Sequence, residues 1–220
     1  MVKIATQIMT SELTGKPSPL PTMKEVHPKY YGVKEAVFPF NMFQEVDPVL
    51  GPEMRSTGEV LGLSLDVGEA YFKAQEATKT ELPTGGTVML SVNDNDKEEL
   101  LEVAQTFVDC GFKLVATKGT CTFLREHNIP VGRAMKIQED VPNLTHDILE
   151  GRIDLVIDTP SLKNETARAD AYVRQTAIKA RVPYMTTMAA AKATAEGIKA
   201  VKEQGLIGVM SLQEIHKAID

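Results

Sequence analysis

Cysteine is scarce in this chain: Cys110 and Cys121 are the only two in 220 residues. Both sit in apolar surroundings without the paired spacing of a zinc site, a redox motif or a disulfide framework. Two buried, reduced thiols in a cytoplasmic protein are expected instead. Histidine is thin as well. His27, His127, His146 and His216 are scattered, with no i, i+4 pair, so no metal site is expected. No apolar run reaches the about 18 residues of a membrane span, and no charged-then-apolar leader for export opens the chain. An excess of positive charge is also missing. The net charge of −6 argues against nucleic acid or a membrane surface as partner, although it leaves room for a local basic pocket. What remains, 43% hydrophobic and 25% charged residues, suits a soluble globular protein.

Two unequal parts follow one another. In the first, "KIATQIMTSEL" reads as a short amphipathic helix and "TGKPSPLPTMKEVHPKYYG" as a long surface loop. "KEAVFPF" reads as a strand, and a helix begins near Asp66, which can cap it. Two helices and one strand make too thin a core to offset backbone ordering costs of about 1–2 kcal/mol per residue. Residues 1–82 therefore look like the tail end of a domain.

Over residues 83–220 the pattern becomes regular. Strand "TVMLSV" precedes a helix with apolar Leu100, Leu101, Val103, Ala104, Phe107 and Val108, with Asp94 or Asn95 as N-cap and Gly111 as its end. Then come strand "FKLVAT", helix "CTFLREHN", strand "RAMKI", helix "LTHDILEG", strand "IDLVID", helix "DAYVRQTAIKAR", strand "PYMTT" and helix "AAAKATAEGIKAVKEQG". Alternation of this kind predicts an α/β fold, a doubly wound five-stranded parallel sheet.

Ligands of such sheets bind beyond the carboxyl ends of the strands. There the sequence puts Ser91 to Lys97, Thr117 to Thr120, Lys136, Asp158 to Ser161, and Thr186 with Thr187. Lys97, Lys118 and Lys136 would converge with several hydroxyls and with helix N-termini, a set suited to a phosphate or a carboxylate. No Ser-His or Cys-His arrangement accompanies them, which favours a binding pocket over a reaction centre.

The segment "FPFNMFQEVDPVLGPEMRSTGEVLGLSLDVGEAYFKAQEA" strongly resembles the last stretch of the second ATP-grasp unit of the carbamoyl phosphate synthetase large subunit. "SVNDNDKEEL", "GFKLVATKGTCTFL" and "KARVPYMTT" resemble its methylglyoxal-synthase-like regulatory domain. The resemblance implies residues 1–82 as a remnant of the ATP-grasp domain and 83–220 as the allosteric domain. It implies part of a cytoplasmic ligase that makes carbamoyl phosphate from bicarbonate, two ATP and glutamine-derived ammonia, for arginine and pyrimidine synthesis. Its partners would be the rest of the large subunit, a glutaminase small subunit, a small-molecule effector and further copies of itself. ATP, Mg²⁺ or Mn²⁺, and K⁺ would serve the full enzyme, with no cofactor and no catalytic residue in this chain.

The resemblance also implies two sites. The phosphate of a UMP- or IMP-type effector would lie among Lys97, Thr117, Lys118, Gly119, Thr120 and Lys136. On its base and ribose side the family has an Asn and a Thr, where this chain has Asp158 and Pro160 flanking Thr159. A carboxylate there cannot donate as an amide does and would repel an anion, so nucleotide control is expected to be weakened, lost or retargeted. Glu53 and Thr186 match two contacts of an ornithine site. Two alternatives stand beside this reading: a methylglyoxal-synthase-like lyase, with Asp140 near that enzyme's catalytic loop, and an oligomerisation module.

Overall fold

A computed structural model describes residues 2–22, 29–38, 54, 56, 58–134, 143–160, 164–205 and 208–217. The parallel sheet is built from β3 (Thr87–Ser91), β4 (Lys113–Ala116), β5 (Gly132–Arg133), β6 (Leu155–Asp158) and β7 (Tyr184–Met185). Its order is β5-β4-β3-β6-β7, with every neighbouring pair parallel. The expected doubly wound sheet is therefore present. Its two central strands are buried on both faces, which explains their apolar runs: Val88, Met89 and Leu90 in β3, and Leu155, Val156 and Ile157 in β6.

Alternation along β3 divides the core in two. Val88 and Leu90 face a layer of α3 (Lys97–Asp109), α4 (Lys118–Glu126) and α7 (Met188–Gln204). Met89 and Val156 face α5 (Leu144–Leu149) and α6 (Asn164–Ala180). In α3 the buried residues Leu100, Val103, Ala104 and Phe107 recur at helical spacing, as the sequence predicts. Phe107 meets Phe112 edge to face at 5.5 Å, closing the turn into β4.

Ahead of this sheet lie α1 (Val2–Thr14), which has no buried residue, and an antiparallel pair, β1 (Tyr31–Val37) with β2 (Gly58–Ser64). β2 was not expected: "GEVLGLS" carries two glycines and a serine, which weaken its strand signal. Gly62 is there for close approach, since a Cβ would stand 2.0 Å from the Ala70 carbonyl oxygen of α2 (Val67–Ala77). Asp66 caps α2 by accepting from the Glu69 amide at 2.8 Å, as read from the sequence. α2 in turn lies on α7 so closely that a Cβ on Gly68 would reach within 2.8 Å of the Glu196 carbonyl oxygen.

Three further expectations need correction. Asn93, not Asp94 or Asn95, caps the 3-10 turn that leads into α3, accepting from the Asn95 amide. α4 starts at Lys118 rather than Cys121, so "KGT" is the first helical turn. A short helix, α8 (Leu212–Lys217), follows α7 where none was expected, and its Ile215 is buried. Of "RAMKI", Arg133 ends β5, while residues 135–137 lie outside the described residues.

Candidate functional site

The chain leaves β3 toward β4 and β5 on one side and returns through β6 and β7 on the other. The strand order therefore reverses between β3 and β6, the place where sheets of this type leave a crevice at their carboxyl ends. Ser91 and Asp158 face each other in register across that junction. Hydrogen bonds run from the Thr159 amide to the Ser91 carbonyl (3.0 Å) and from the Thr117 amide to the Leu90 carbonyl (3.1 Å), so three strand ends finish at one level.

Asn93 organises the loop leaving β3. Its backbone and side-chain amides donate to Thr159 Oγ1 at 3.0 and 3.2 Å, and its side-chain amide also reaches Asp96. Thr159 itself is buried. Lys97 opens α3, with its Nζ 2.8 Å from Asp94 Oδ1 and 5.8 Å above the Phe123 ring centroid. A Cβ on Gly119 would lie 3.7 Å from that same Nζ. The Lys97 ammonium thus hangs over the first turn of α4, and the missing side chain at Gly119 leaves space between the ammonium and the turn's amides. Cation and helix N-terminus together form a corner whose positive charge is offset in part by Asp94.

The two threonines behave differently from one another. Thr117 is the N-cap of α4 by backbone conformation, yet its hydroxyl makes no capping bond and sits 3.5 Å from Ser91 Oγ. Thr120 is buried and accepts from the Val92 amide at 3.3 Å, tying the end of β3 to α4. Its O–H proton remains available to donate. Lys118 is exposed on the same turn. Lys97, Thr117, Lys118, Gly119 and Thr120 are therefore brought together as expected. Lys136, Glu53 and Asp140 lie outside the described residues.

Asp158 is where the structure changes the sequence reading most. It is buried, and Arg174 Nη1 on α6 lies 2.7 Å from its Oδ2 in an ion pair whose side chains are 4% and 2% exposed. A carboxylate held against a guanidinium does not present the bare negative charge expected from the sequence. Arg174 was missed altogether. Its signal is a cation inside the buried stripe of Val173, Ala177 and Ile178, next to a strand that ends in a carboxylate.

Thr186 follows Met185 at the end of β7, where a second group of polar side chains is found. Tyr71 Oη stands 3.1 Å from Thr194 Oγ1 and 3.9 Å from Met185 Sδ. Burial pushes the Tyr71 hydroxyl up, and the charge of Glu35 adds to the shift. Glu35, half-buried on β1, has its carboxyl raised by desolvation and makes no ion pair among the described residues. The sequence reading passed over it.

With this geometry in place, likeness to known proteins becomes informative. The MGS-like domain model matches residues 99–186, which run from within α3 to just past β7 and take in four of the five strands, β3 lying ahead of them. The chain is 49% identical over 191 residues to the carbamoyl phosphate synthase large chain, C-terminal section, of Methanopyrus kandleri, covering 86% of this chain and 35% of that one. It is 40% identical over 221 residues to the carbamoyl phosphate synthase large chain of Xanthomonas campestris, covering 100% of this chain and 20% of that one. The chain belongs to the carbamoyl phosphate synthase large-chain family. It corresponds to the C-terminal part of that family and spans about a third or less of the relatives it matches. An arginine-specific chloroplastic large chain of Arabidopsis thaliana is 46% identical over 183 residues, covering 83% of this chain and 15% of that one. Among the described residues no helix is long and apolar enough to cross a membrane, and no group of three His, Cys, Asp or Glu could hold a metal.

Proposed function

We propose that this chain is the effector-binding, regulatory part of a carbamoyl phosphate synthase large chain and performs no chemistry by itself. Residues 83–220 act as the allosteric domain, and residues 1–82 belong to the end of an ATP-grasp unit. In the assembled enzyme, with the rest of the large chain and a glutaminase small subunit, it biases the formation of carbamoyl phosphate from bicarbonate, ATP and glutamine-derived ammonia. The effector is a phosphate monoester of the UMP or IMP type. The observation that carries this reading is the Lys97 ammonium poised over the open first turn of α4, beside Thr117 and Thr120. A dianion suits that corner: two or more cations offset its charge while hydroxyls and amides orient it. Lys136 is proposed to complete the set.

Titration calorimetry with UMP and IMP tests the reading directly. Wild type binds one of them, and Lys97→Met weakens it roughly 10- to 100-fold, the range for losing a charged hydrogen bond. No binding by wild type, or equal binding by the variant, would refute it.

Ornithine is the proposed second ligand, taken up beyond β7 with Thr186 and Glu53 as contacts. Glu35 lies close enough to Tyr71 for its charge to act on that hydroxyl, and Tyr71 reaches Met185 at the end of β7, which supports adding Glu35 as an acceptor for the amine. Glu35→Gln should weaken ornithine binding in the same assay and leave UMP and IMP unaffected.

A further inference from the structure

Lys97 has an anionic partner within its own chain: its Nζ lies 2.8 Å from Asp94 Oδ1, three residues back in the turn that leads into α3. We infer that Asp94 is an affinity-determining residue of the effector pocket, an internal counter-anion that holds the Lys97 ammonium until a phosphate displaces it. This inference rests on the phosphate reading of the pocket and adds a residue that competes with the ligand rather than binding it.

Three observations carry it. The pair is lopsided, with the Lys97 side chain 20% exposed and that of Asp94 80% exposed. Lys97 is enclosed by α4, its Nζ 5.8 Å above the Phe123 ring and 3.7 Å from the place a Cβ would take on Gly119. An arriving anion therefore finds the cation held in place, while the carboxylate turns outward into water that already surrounds most of it. The turn that carries Asp94 is also anchored. Asn93 caps it by accepting from the Asn95 amide, and two hydrogen bonds tie Asn93 to Thr159 beyond the end of β6. Asp94 thus stays beside Lys97 at the high effective concentration of a group on the same short segment. Charge decides who can displace it. At equal distance a dianion attracts the ammonium about twice as strongly as one carboxylate does. The phosphate also meets the amides of α4 and the hydroxyls of Thr117 and Thr120, so it outcompetes Asp94 at the cost of a weaker net affinity.

The test is calorimetry on the full chain with UMP and with inorganic phosphate. Asp94→Asn, equal in size, is expected to bind both about two- to fivefold more tightly than wild type, the factor by which such ion pairs are held closed. The gain should be the same for the two probes, because each displaces the same carboxylate. Glu98→Gln, in the first turn of α3, removes a negative charge and leaves the Lys97–Asp94 pair intact, so its affinity is expected to match wild type. Thermal melts check that each variant folds, and Asp94→Ser, another turn-forming residue, carries the test should D94N fold poorly. Binding to D94N with none to wild type would be the strongest form of the expected result. Unchanged or weaker binding by D94N, or an equal gain in E98Q, overturns the inference and leaves the phosphate pocket standing. No binding of either probe to wild type or to D94N overturns both.

Discussion

Glu35 sits half-buried on β1 with its carboxyl raised by desolvation and no ion pair among the described residues. A folded-state pKa above the unfolded value means that the protonated group favours the fold. That contribution is complete below the unfolded pKa of about 4.3 and disappears as pH rises through the higher folded value. Glu35→Gln, which cannot ionise, should therefore raise the melting temperature at pH 7.5 and leave it unchanged at pH 4. An equal shift at both pH values would mean that the carboxylate is not the cause. Asp158 and Arg174 present the opposite situation, two charges that satisfy one another. Breaking the pair from one side, as in R174M, is expected to cost about 3–5 kcal/mol, whereas removing both partners is close to neutral. Urea denaturation of the two variants measures the difference.

At the scale of elements, α2 is the part most exposed to small changes, because β2 meets it through a glycine. Gly62→Ala puts a methyl group where the Ala70 carbonyl already stands, and the strand pair must move away. Overpacking of this kind costs about 1–3 kcal/mol. Hydrogen exchange should show faster exchange in β1 and β2 with β3 and β6 little changed; uniform loss of protection would contradict the local origin. The parallel sheet was legible in the sequence because each strand alternates with a helix and the central runs are uniformly apolar. The start of α4 was not, since Lys118, Gly119 and Thr120 have the look of a turn, and only burial of Thr120 and Cys121 draws them into a helix. β2 was hidden for a related reason: its glycines matter for contact with α2, and contact across space leaves no local periodicity. In the candidate site, Lys97 and the threonines could be read from their positions at strand ends. Arg174 could not be assigned a partner, because its meeting with Asp158 depends on how α6 crosses the sheet.

Across the whole molecule, the segment 208–217 folds back on β2 and α2. Burial pushes the Glu69 carboxyl up, but hydrogen bonds from Lys73, Ser64 and the Gly208 amide outweigh that effect and hold it below the ordinary range. A lowered folded-state pKa gives stability that is present above the unfolded value of about 4.3 and is lost as pH falls through the folded one. Protease susceptibility of the segment 208–217 should accordingly rise on acidification below pH 4, ahead of global unfolding, and Glu69→Gln should raise it already at pH 7. Equal resistance of the variant and wild type at neutral pH would show that Glu69 does not hold the segment.

Gly68 and Gly197 bring α2 and α7 together backbone against backbone, with no side chain of either residue between them. Such a crossing lacks the compliant layer of interdigitated side chains that lets packed helices slide in small steps. The motion it leaves open is pivoting about a fixed point. A displacement of the first turn of α7, next to Thr186 and Thr187, would swing its far end the opposite way and carry with it the chain that leads into α8, while α2 serves as the fulcrum.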